Sequence, residues 1–176
     1  MTSLLLIRHA HVVRDPAVPS HEWRLSANGR FRTSHLAHQQ TSIPTRLITS
    51  TEAKAAETGQ ILARVWGIPC GSVPNLHEHD RRGAPYLPDQ AEFENTIAQF
   101  FARPDELVFG KETAVQALER FKTAVDSQIT AYPTDRLGIV SHGTVMTLLV
   151  SHYNPSIIPF TFWQNLSMPA VYELTI

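Results

Sequence analysis

Leu4-Leu5-Leu6-Ile7-Arg8-His9-Ala10 and its later counterpart Leu137-Gly138-Ile139-Val140-Ser141-His142-Gly143 set the architecture. Each is a short apolar run that breaks on a histidine, as expected of a buried strand whose carboxyl end carries chemistry. In open α/β sheets ligands bind at the carboxyl ends of the strands, so two such ends on neighbouring strands would form one site. An arginine beside a histidine suits a phosphate there. The guanidinium forks onto two oxygens and the imidazole attacks phosphorus.

Three further apolar runs, 46–49, 69–73 and 170–175, read as strands with 3–8 and 136–141. Helical periodicity fills the gaps. The stretch 26–38 starts on a serine cap, and 52–66 places Thr58, Ile61, Leu62 and Val65 on one face before Gly67. The stretch 112–131 does the same with Leu118, Phe121, Val125 and Ile129. A further helix begins near Gly143. This alternation predicts an α/β fold in three layers, α/β/α, with a mainly parallel central sheet. The segment 77–110 interrupts it with Gly83, Pro85, Pro88 and Pro104 around a short helix at 91–102. It reads as a lid-like excursion over the site within one domain spanning 1–176.

Composition narrows the function. With 176 residues the chain can bury a proper core, and a net charge of −1 with interspersed signs supplies no basic field for nucleic acid or anionic membranes. The apolar run from Leu4 to Ile7 is far shorter than a signal-peptide core or a membrane span, so a cytoplasmic protein is expected. The one cysteine, Cys70, precludes an intramolecular disulfide and reads as a small buried strand residue. Small molecules are the expected partners, and composition gives no oligomeric state.

The motifs resemble those of the histidine phosphatase superfamily, the phosphoglycerate mutase-like group. Arg8-His9-Ala10 resembles its R-H-[GA], Leu25 to Gly29 its L-[ST]-x-x-G, and Ser50 to Thr58 (STEAKAAET) its S-x-L-x-R-A-x-E-T. Leu76-His77-Glu78 is similar to its L-x-E, Gly110 to Thr113 to its G-x-E-[ST], and Ser141-His142-Gly143 to its [ST]-H-G. Two departures matter. Lys54 stands where the third motif has arginine, keeping the charge without the planar fork, and His11 and Asp15 occupy the stretch where the mutases carry a glutamate and an asparagine.

The resemblance implies a metal-independent phosphomonoester hydrolase, without cofactor, acting on a small phosphorylated substrate through a phosphohistidine at His9. It implies Arg8, Lys54 and His142 as phosphate ligands and Glu78 as the general acid, with Asp80 the alternative and a raised carboxyl pKa expected of the acid. Arg81, Arg82 and Tyr86 in the excursion are candidate substrate contacts. Glu112 reads as a helix cap in preference to a residue that orients the clamp. Arg14 and Arg24 receive no role.

Three other readings compete. A non-catalytic phospho-ligand binder fits Lys54, and a mutase-type phosphotransferase is disfavoured by the missing asparagine. A metal hydrolase is suggested by His9-Ala10-His11 and by His77-Glu78-His79-Asp80. The first motif belongs to a much larger barrel, the second lacks the required spacing, and Arg8 would repel a cation at His9.

Overall fold

The strands assemble in the order β3-β2-β4-β1-β5, where β1 is Ser3–Arg8, β2 Arg46–Ser50, β3 Cys70–Val73, β4 Leu137–Ser141 and β5 Ala170–Thr175. These elements come from a computed structural model that describes residues 3–176. The first four strands run parallel and β5 closes the far edge antiparallel to β1. Boundaries fall within a residue of those read from the sequence.

Why β1 and β4 are apolar apart from polar end residues follows from their interior places: both their faces are covered. Leu5 and Ile7 of β1 and Val140 of β4 pack with Ala37 of α1 (Ala27–Gln39) and with Ala55 and Leu62 of α2 (Ala53–Trp66). Leu4, Leu6 and Ile139 point the other way. They meet Phe121 and Val125 of α4 (Ala114–Ala131), Val145 and Leu149 of α5 (Gly143–Tyr153) and Phe100 of α3 (Gln90–Ala102). The expected three layers are therefore present.

Local chemistry starts and seats the helices. Ser26 Oγ accepts the Gly29 N–H at 3.0 Å, and a Cβ at Gly29 would lie 2.1 Å from the His11 carbonyl oxygen. The start of α1 thereby presses on the chain just beyond His9. Thr113 and Gln116 form a reciprocal capping box at α4. A short helix α6 (Pro159–Asn165), which periodicity did not reveal, leads into β5.

Three expectations need correction. Cys70 is exposed, because β3 is the outermost strand and has only β2 beside it. On α2 the buried stripe is Ala55, Thr58, Gly59, Leu62 and Ala63, with Val65 38 % exposed. Small residues let this helix settle onto the sheet so closely that a Cβ at Gly59 would come within 2.3 Å of Thr49 Cγ2. Glu112 is not the cap of α4: Thr113 fills that place, and Glu112 pairs with Arg120 at 2.6 Å and accepts the Asp80 N–H.

Candidate active site

Parallel register brings the two histidines together. Arg8 of β1 pairs with Ser141 of β4, and the His9 N–H donates to the Ser141 carbonyl at 2.9 Å. His9 and His142 then leave adjacent strand ends, their ring centroids 5.1 Å apart and edge to face. Since β2 flanks β4 on its other side, Ser50 completes a row of three strand ends, and its Oγ lies 2.9 Å from His142 Nε2.

These ends open into a cavity of about 910 Å³. Arg8, His9, Lys54, Glu78, Arg81 and His142 all line it, so the convergence that the sequence required is present. Asp80, Arg82 and Tyr86 lie along the same wall.

His9 is set up as a neutral ring. Its Nδ1 lies 2.8 Å from the Ala10 carbonyl, an acceptor only, so Nδ1 carries the proton and Nε2 keeps its lone pair. Nε2 makes no hydrogen bond and is not among the buried orphan atoms, which leaves it open to the cavity. Burial, followed by the charge of Lys54, holds the ring's pKa down to about 4. His142 is fully buried as the N-cap residue of α5, and burial and the Lys54 charge push its pKa well down too.

Arg8 is wedged in place. Its Nη1 donates to the Leu166 carbonyl at 2.5 Å, and its guanidinium lies flat against Gly143, where a Cβ would meet Nε and Cζ at 3.0 Å. The glycine of the [ST]-H-G motif therefore makes room for the arginine of the first motif. Lys54 is also buried. Its Nζ donates to the Ser20 carbonyl at 2.6 Å and pairs with Glu52 at 2.7 Å.

Glu78 sits on the start of α5, accepting the N–H groups of Thr144 at 3.2 Å and Val145 at 3.3 Å, 3.7 Å from Arg81 Nη2. The sequence expectation of a raised pKa is reversed here. Burial alone would raise it, but Arg81, His142 and the backbone donors outweigh burial and hold the carboxyl at about 2. Asp80 turns elsewhere: Arg82 grips its carboxylate through Nε and Nη2, and its pKa is lowered to about 2 chiefly by that contact.

The three excursion candidates divide. Arg81 reaches inward, donating to Thr144 Oγ1 at 3.0 Å with its guanidinium 5.1 Å over the Phe93 ring. Arg82, its side chain 77 % exposed, stays on the rim with Asp80. Tyr86 packs edge-on against Trp23 at the mouth.

Two residues of the site escaped the sequence reading. Glu52 stands third in the stretch from Ser50 to Thr58, where the family pattern has leucine, and that mismatch was the available signal. Arg120 on α4 donates to the carbonyls of Asn75, His77 and Glu78 and so fastens the loop bearing the acid. Nothing in its local sequence marks it. Among the described residues no group of three or more His, Cys, Asp or Glu side chains is arranged to hold a metal ion. No helix among them is long and apolar enough to cross a membrane.

The two strand-end histidines, the wedged arginine and the glutamate seated against the start of α5 line one cavity at the carboxyl edge of a phosphoglycerate mutase-like fold. Residues 4–176 match the model of the histidine phosphatase superfamily (branch 1), and the chain belongs to that superfamily. No curated protein matches it by sequence. Among solved structures it is similar to a mycobacterial glucosyl-3-phosphoglycerate phosphatase, at 14 % identity and TM-score 0.75, over 98 % of this chain and 89 % of that one. It also resembles the α-ribazole phosphatase of Shigella flexneri, at 17 % identity and TM-score 0.66, covering 93 % and 84 %. A phosphoserine phosphatase of Entamoeba histolytica, in complex with phosphoserine, aligns at 13 % identity and TM-score 0.76, covering 99 % and 91 %. Likenesses at such identities establish the shared fold.

Proposed function

We propose that this chain is a metal-independent phosphomonoester hydrolase whose nucleophile is His9 Nε2. The observation that carries this reading is a neutral histidine, its Nδ1 proton committed to the Ala10 carbonyl, facing a cavity that also holds Arg8, Lys54 and Arg81. The Nε2 lone pair attacks phosphorus and the P–O ester bond breaks. The leaving oxygen takes a proton from Glu78, and the guanidinium of Arg8 balances charge on the phosphoryl oxygens. Glu78 then removes a proton from water, whose oxygen attacks phosphorus and breaks the P–N bond. Inorganic phosphate and neutral His9 result.

Glu78 must be protonated for the first step, although Arg81 and the N-terminus of α5 hold it ionised. An incoming phosphate dianion competes for Arg81 and repels the carboxylate. Both effects raise the carboxyl pKa, so the proton enters with the substrate.

A small phosphorylated substrate fits the cavity, and the excursion 77–110 serves as its selecting wall through Arg81 and Phe93. The solved relatives are named for small substrates of this kind, which supports the same class here. The Glu52–Lys54 pair favours one second reading, a binder that turns phosphate over slowly. Hydrolysis of para-nitrophenyl phosphate in a metal chelator tests both. Turnover in the wild type that His9→Ala abolishes supports the hydrolase. Phosphate binding without turnover leaves the binder, and loss of activity in chelator refutes metal independence.

A further inference from the structure

Lys54 and Glu52 form an ion pair at 2.7 Å with side chains only 7 % and 9 % exposed. Its place is unusual, because Glu52 also accepts the Glu78 N–H at 2.9 Å and lies 3.6 Å from His142 Nε2. A carboxylate thus stands inside the group of side chains assigned to hold a phosphate dianion. A lysine ammonium has three donors, and Glu52 and the Ser20 carbonyl take two of Lys54's. One donor remains, fixed in direction.

With His9 and His142 neutral, Glu52 cancels one of the positive charges that Arg8, Lys54 and Arg81 present to a phosphate dianion. Neutralising Glu52 would restore it.

We propose that Glu52 is a positioning residue with a second role: it aims the remaining donor of Lys54 at phosphorus-bound oxygen while its charge keeps the affinity for inorganic phosphate low. Product phosphate then leaves readily, and the binding of substrate rests on the leaving group and the aromatic wall of Trp23 and Phe93. Binding energy drawn from the remote part of a substrate is lost with the leaving group, so substrate is held more tightly than product. The inference rests on the phosphatase reading above and concerns the same site.

Glu52→Gln keeps the shape and hydrogen-bonding reach of the side chain and removes its charge. Titration of inorganic phosphate, followed by calorimetry and by the fluorescence of Trp23, whose ring lies 6.0 Å from Lys54 Nζ, gives the dissociation constant without turnover. The expected result is at least about tenfold tighter phosphate binding in Glu52→Gln, with para-nitrophenyl phosphate KM and the phosphate inhibition constant falling in step, as removing a like charge at a partly desolvated site requires. A double-mutant cycle with Lys54→Met separates aim from charge. Glu52→Gln should tighten binding less when Lys54 is gone, because the neutral partner then has no ammonium to release. Phosphate binding that is unchanged or weaker in both Glu52→Gln and Glu52→Leu, each shown folded by circular dichroism, overturns the inference. No phosphate binding in any variant overturns the phosphatase reading itself.

Discussion

Replacing Gly143 by alanine places a methyl group 3.0 Å from both Nε and Cζ of Arg8 and 3.3 Å from its Nη2. Unstrained contacts of this kind open to roughly 3.5–4.0 Å, so the guanidinium must retreat by about 0.5 Å or more. It has little freedom to do so gently, since Nη1 is tied to the Leu166 carbonyl at 2.5 Å. A misplacement of roughly 1 Å at a reacting centre costs about a hundredfold in rate, so half of that displacement scales to about tenfold, near 1.4 kcal/mol of transition-state stabilisation. Stability moves by a comparable amount. Alanine in a helix gains up to about 1 kcal/mol over glycine, while overpacking loses roughly 1–3 kcal/mol, so the net loss lies between about zero and about 3 kcal/mol. The assay is kcat/KM on para-nitrophenyl phosphate together with urea denaturation of both proteins. A variant whose kcat/KM stays within twofold of wild type refutes the placement of Arg8 against Gly143, and a loss that merely tracks the unfolded fraction refutes the catalytic argument.

The pH dependence of stability has two stages. The unfolded chain protonates His9 below 6.5 but the folded chain only below about 4, so stability is lost as pH falls through that window, by up to about 3 kcal/mol from His9, and His9→Gln should remove that share in urea titrations between pH 7 and 4, leaving the part due to buried His142. Glu78 has its own pKa lowered from 4.5 to about 2, so its contribution persists above pH 4.5, fades below it, and is absent in Glu78→Gln. Arg120→Ala unfastens three loop carbonyls and strands the Glu112 carboxylate, which is 13 % exposed; about 3 kcal/mol of lost stability is expected, with a fall in kcat exceeding any change in KM, and an unchanged kcat refutes the idea that Arg120 steadies Glu78. Arg81→Met removes the strongest influence opposing burial at Glu78, so the carboxyl titration followed by carbon-13 NMR should move upward from about 2, and a static titration counts against the pairing.

How much of the site could be read in advance depended on whether its residues act at their own place in the chain. The strand ends Arg8-His9 and Ser141-His142 were legible because an apolar run broken by a polar pair that ends on histidine carries its meaning locally. The face of α2 was misread because Thr58, Ile61, Leu62 and Val65 satisfy a helical repeat, whereas Ala55, Gly59 and Ala63 permit the closest approach to β2. Periodicity weights large side chains, and close packing selects small ones. Glu112 failed similarly: its first-turn position suggested a cap, but its charge is used 2.6 Å from Arg120, two turns along α4.

By itself the sequence determined the layered α/β architecture, the carboxyl-edge location of the candidate site and the chemical kind of the nucleophile proposed for it. Each follows from short-range pattern: strand length, helical repeat and the identity of residues at a strand end. Only the tertiary structure decided the protonation and pairing of those residues. The proton sits on His9 Nδ1 because of the Ala10 carbonyl, Glu78 is ionised because α5 and Arg81 meet it, and Lys54 shares its charge with Glu52 because the start of α2 holds the two side chains together at the cavity wall. Charge states answer to burial and to the geometry of neighbours near and far in the chain, and the sequence does not state either until it is folded.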